Sequence, residues 1–168
     1  MNAMNRRNLI TSLAGTAVVG LLPGAAVAQM RSAPADAAKL PALVGGDFST
    51  ATSKLAVHKA SNPAVRKFAK LEIAEQAAVA KAFGATPGSA GLRPDQVAIV
   101  ETLTAATGPE FDRMYVDGQI AGHRELLTIH RRYARNGSDP MARGASLVGV
   151  TGIEAHLFLI ENLKRQIV

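Results

Sequence analysis

The chain has 168 residues, about the length of one ordinary domain. Apolar residues make up 48% and charged residues 19%, so a core can be buried and a disordered polymer is excluded. With no Cys, disulfides, thiolate metal sites and cysteine nucleophiles are excluded, and a net charge of +6 falls short of a nucleic-acid footprint.

Residues 1–28 read as an export signal of the twin-arginine type. Arg6-Arg7-Asn8-Leu9-Ile10 is similar to that signal's paired arginine followed by two apolar residues. An apolar run from Leu9 to Leu22 follows, broken by Gly15 and Gly20. Ala26-Val27-Ala28 supplies the small-x-small pattern of a peptidase site, which places cleavage after Ala28 and the mature protein in the periplasm or outside the cell. Residues 29–42, with Pro34 and Pro41, read as a flexible tether before a helical domain over 43–168.

In that domain prolines mark helix starts. Asn62-Pro63 and Asp139-Pro140 each pair an N-cap residue with Pro at the first helical position, and Gly108-Pro109-Glu110 adds an acid to the first turn. The expected helices are 44–60, 63–83, 94–107, 109–135 and 140–166. Gly84 to Gly91 is a loop, and 94–107 is a short extra helix. Asn136-Gly137 is expected to stop its helix with Gly in the left-handed conformation. Shared faces are expected for Val65, Phe68, Ala69, Val79 and Phe83; for Phe111, Tyr115, Gly118, Gly122, Leu126, Ile129 and Tyr133; and for Met141, Ala145, Val148, Gly152, Leu159 and Leu163. The fold class is therefore all-α, an up-down antiparallel four-helix bundle with a short extra helix. Transmembrane segments are not expected in the mature chain.

Several polar residues fall on apolar stripes. Glu72 follows Phe68 by four and Ala69 by three, so it points inward, and Gln76 lies one turn further on the same face. His123 follows Gln119 by one turn, and His156 shares a face with Gly152, Leu159 and Ile160. A buried carboxylate is costly unless it is paired, protonated or metal-bound. Two readings follow. In one, Glu72, His123 and His156 ligate iron, manganese or zinc, with Glu75, Gln76, Gln119 and Glu154 around them. In the other, the same groups form a hydrogen-bonded polar layer without metal. Diiron bundles use Glu-x-x-His on two helices, and that spacing is absent. His58 and His130 read as solvent-side residues. Arg131, Arg132 and Arg135 suit the negative end of their helix.

Three stretches carry a family resemblance: Ser61-Asn62-Pro63-Ala64-Val65-Arg66-Lys67-Phe68-Ala69, Phe111-Asp112-Arg113-Met114-Tyr115 running to His123, and the ending around His156. Over roughly 44–165 the chain resembles the exported bacterial proteins grouped as domain of unknown function 4142, which implies a ferritin-like helical bundle. Against that pattern, Glu75-Gln76 stands where the family usually has Asp-His, and Glu72 where it has Met. An expected glutamate near Ser49 or Ala51 is missing. His123 and His156 fit the family's remaining histidine positions.

No complete catalytic set is present, so the expected role is a non-catalytic one in the envelope, binding an unidentified partner or protecting against stress. The competing role is a ferritin-like metal protein or oxidase with a degenerate Glu/His site. Nucleic acid is not an expected partner. The basic helices allow weak membrane-surface contact, and the oligomeric state is not legible.

Overall fold

A computed structural model describes residues 36–167. A 3-10 turn, Ala37–Lys39, leads into five α-helices: α1 Leu40–Lys59, α2 Pro63–Ala82, α3 Pro94–Ala105, α4 Gly108–Asn136 and α5 Pro140–Gln166. No strand occurs among the described residues. The expected export signal, 1–28, and the expected tether up to residue 35 lie outside them.

The helix starts follow local chemistry. The Asn62 side chain accepts from Ala64 N–H, and that of Asp139 accepts from Met141 and Ala142 N–H, satisfying donors that have no helical partner. Pro occupies the first or second position of all five helices. The α2–α3 loop turns on Gly84, Gly88 and Gly91, all with positive φ. It is pinned to α1, because the Asp47 carboxylate accepts N–H bonds from Gly88, Ala90 and Gly91.

Three expectations need correction. The tether expected over 29–42 does not extend to residue 42, since the chain is helical from Ala37 onward. Asp36 there accepts from the Tyr133 hydroxyl at 2.6 Å, and Lys39 donates to Asp139 at 2.6 Å and to the Phe83 carbonyl at 3.0 Å. These contacts hold the segment against the ends of α2 and α4. Gly137 has φ −64°, so it is not left-handed. Glycine is needed there for space, because a Cβ would lie 2.4 Å from the Tyr133 ring. Finally, α5 buries Ala142, Ser146, Ile153, Ile160 and Leu163, whereas Met141, Val148 and Leu159 face out. Of the face expected for α5, only Leu163 is fully buried.

The core has two apolar ends. One joins Ala56 and Ala60 of α1, Val65, Phe68 and Ala69 of α2, Phe111, Tyr115, Val116 and Ile120 of α4, and Ile160 and Leu163 of α5. The other joins Ala42, Phe83, Tyr133 and Ala142. The polar residues of interest lie between these ends. α1 packs on α2 and α4, α5 packs on α4 and α2, and α3 touches α1 and α4. By length and composition α5 could cross a membrane, its most apolar 18-residue stretch having a mean hydropathy of 1.2. One of its faces nevertheless packs inside the protein through Ile153 and Ile160.

Candidate metal centre

Asp112 ties two of the family-like stretches to each other. It is buried at the start of α4, and its carboxylate accepts N–H bonds from Ser61 at 3.0 Å and Asn62 at 2.8 Å, and a bond from the Ser61 hydroxyl. The α1–α2 turn is thereby fixed to α4, which sets the height of α2 against α4 and so of Glu72 against His123.

Glu72 is fully buried on α2. Its Oε1 accepts from the Gln76 amide at 2.8 Å and from Ser49 Oγ at 2.8 Å. Its Oε2 faces two imidazoles, lying 3.3 Å from His123 Nε2 of α4 and 3.1 Å from His156 Nδ1 of α5. Those two nitrogens are 3.4 Å apart. Carboxylate and imidazoles therefore converge from three helices on one small volume. Phe68 walls it, with its ring centroid 6.0 Å from that of His123 and 5.4 Å from that of His156.

The outer nitrogens of both imidazoles are already engaged. His123 Nδ1 lies 2.8 Å from the Gln119 carbonyl, which can only accept, so this nitrogen carries the proton. His156 Nε2 lies 3.2 Å from Glu75 Oε2. With a proton on each outer nitrogen, the inner ones present lone pairs. In that tautomer three lone-pair atoms face one another, a set that can hold a metal ion; with the proton on His156 Nδ1 the ring donates to Glu72 instead.

The ion-free electrostatics describe the proton case, in which the imidazoles donate to Glu72. Burial alone would raise the Glu72 pKa, but hydrogen bonds from His123 and His156 overcome it and hold the carboxyl far below the usual carboxylate range. The hydrogen bond to Glu72 raises His156 above the ordinary imidazole value against the opposing effect of burial, with the charge of Glu75 adding to it. Burial pushes Glu75 upward. Among the described residues, no buried side-chain nitrogen or oxygen lacks a hydrogen-bond partner.

The structure thus brings Glu72, His123 and His156 together, with Glu75, Gln76 and Gln119 in contact with them. Glu154 does not join. It lies two residues before His156, on the opposite side of α5, and pairs at 2.6 Å with Arg131 on the surface. His130 is also corrected: it is buried, with Nδ1 3.1 Å from Ser146 Oγ and its ring edge-on to Phe83. Burial lowers its pKa to about 4. Its spacing from His123, Leu126 and Tyr133 on one helical face carried that signal in the sequence. His58 is exposed, as expected. Ser49 went unrecognised, because its role depends on Glu72 and Gln119 from other helices.

The family model described as domain of unknown function (DUF4142) matches residues 22–163. The chain belongs to the DUF4142 family. Searches of curated proteins and of solved structures return no match. In this DUF4142 protein, the Ser49 hydroxyl donates to Glu72. Gln76, which stands in the Asp-His place, donates to the same carboxylate.

Proposed function

We propose that this protein is an exported, ferritin-like bundle that binds one transition-metal ion, iron, manganese or zinc, through Glu72, His123 and His156. The observation that carries this reading is the spacing of the three inner atoms, 3.1–3.4 Å, with the outer nitrogens bound to other oxygens. Two donors each about 2.1 Å from one ion lie roughly 3.0 Å apart at a right angle and roughly 3.4 Å apart at a tetrahedral angle. The spacing of the donors therefore matches that around one ion. The Gln119 carbonyl and Glu75 act as the groups that orient metal-bound imidazoles. One carboxylate and two imidazoles suit borderline cations, which are also redox cations in the case of iron and manganese.

The ferritin-like reading draws support from the two core ends. One gathers the end of α1, the starts of α2 and α4 and the end of α5, and the other gathers the opposite termini. Packed neighbours then run antiparallel, and a single long crossover carrying α3 joins α2 to α4. Export rests on Arg6-Arg7 and the apolar run after them. A twin-arginine route would carry the bundle already folded, with its ion in place.

The test is calorimetric titration of the mature protein with Zn(II), Mn(II) and Fe(II). One equivalent is expected to bind at least one of them and raise the melting temperature, as any ligand selective for the native state does. Glu72→Gln is expected to abolish binding. Failure of every ion to bind or stabilise would overturn the proposal. One observation favours a second reading: among the described residues, each buried side-chain nitrogen and oxygen has a hydrogen-bond partner. On that reading the cluster is a protonated polar layer in a non-catalytic envelope protein.

A further inference from the structure

The centre is buried, so an ion needs a way in. We infer that cations reach it along the groove between α2 and α5, with Glu75 as the entry ligand; the inference rests on the centre being a cation site. The groove has a volume of about 520 Å³ and is walled by Ala78, Val79, Val148, Gly149 and Gly152, with Glu75 as its carboxylate. α2 and α5 form the loosest of the seams between the four long helices.

Glu75 lines the groove and touches a residue of the centre. Its Oε2 lies 3.2 Å from His156 Nε2, and the other nitrogen of that ring faces Glu72 Oε2. Glycine at 152 leaves the carboxylate its room, since a Cβ there would lie 3.1 Å from Glu75 Oε1. A half-buried carboxylate at this point can replace a water on the incoming ion before an imidazole does, so dehydration is stepwise.

Two other openings are poorer routes. The cavity beside Ser49, Gln119 and His123 measures about 10 Å³, the space of a single water. A groove of about 400 Å³ lies past Leu71 and Leu159, but it offers no carboxylate and Phe68 forms part of its wall.

Val148 lies on the proposed route and is 75% exposed, so it tolerates charge. Stopped-flow uptake of Co(II), followed by its visible absorption, is measured for Val148→Glu and Val148→Arg. Val97→Glu and Val97→Arg, on exposed α3, report the effect of net charge alone. At low ionic strength Val148→Glu is expected to take up cobalt about tenfold faster than Val148→Arg, with the ratio collapsing in high salt. The Val97 pair is expected to differ less than twofold. Glu75→Gln is expected to slow uptake at least tenfold. Equal ratios for the two pairs would overturn the route, and normal uptake by Glu75→Gln would overturn the entry role. A wild-type protein that takes up no cobalt overturns the centre itself and the route with it.

Discussion

Position 72 shows how one residue can set the character of a core. A carboxylate with no exposure is tolerated because five groups address it: Ser49, Gln76, His123 and His156 directly, and Glu75 through His156. Removing one partner of a buried pair leaves the others uncompensated. Glu72→Ala is therefore expected to cost about 3–5 kcal/mol in urea unfolding, and an effect below 1 kcal/mol would mean that the cluster is not coupled. His130 behaves differently, being buried beside a neutral hydroxyl with no carboxylate in contact. Its folded pKa of about 4 lies below the ordinary 6.5, so the unfolded chain binds the extra proton first. The stability it contributes is present above pH 6.5 and is lost as pH falls toward 4. Relative to His130→Gln, the wild type should lose about 2 kcal/mol of unfolding free energy between pH 7 and 4.5. Parallel pH profiles for the two proteins would contradict this. Glu72, His123 and His156 were legible in the sequence because each lies on an apolar stripe. Ser49 and the link from Glu75 to His156 were not, because they depend on contacts between helices that no single-helix spacing encodes.

Helix ends were read to within a few residues wherever Pro followed an N-cap residue. The starts of α2, α3 and α5 at Pro63, Pro94 and Pro140 fell where expected, because the missing proline N–H costs nothing in the first turn. The buried face of α5 was misread. Its apolar residues surround the helix, so periodicity alone could not choose between the Ala142–Ile153–Ile160 side and the Met141–Val148–Leu159 side. Packing against α4 and α2 made the choice. Glycines divide in the same way. A Cβ on Gly144 would meet nothing within 4 Å, and α5 is continuous there. Gly144→Ala should therefore stabilise by up to about 1 kcal/mol through helix propensity. A Cβ on Gly137 would strike the Tyr133 ring. Gly137→Ala should cost roughly 1–3 kcal/mol, as overpacking does. Thermal melts of the two variants should shift in opposite directions, and a shift of the same sign in both would refute the distinction.

Over the whole molecule, two apolar ends enclose a polar middle. The all-helical class followed from composition and proline punctuation. The junction of Ser61-Asn62 with Asp112 did not, since it joins residues 50 and 51 positions apart. That junction fixes α2 against α4, and the Lys39–Asp139 pair ties the start of α1 to the start of α5. Both hold the register in which α2, α4 and α5 present one carboxylate and two imidazoles to a common point. The most direct test is anomalous diffraction from crystals of the zinc-loaded mature protein, recorded on both sides of the zinc edge. The account predicts one peak about 2.0–2.2 Å from Glu72 Oε2, His123 Nε2 and His156 Nδ1. Zinc confined to surface carboxylates, with no density among these three atoms, would contradict it.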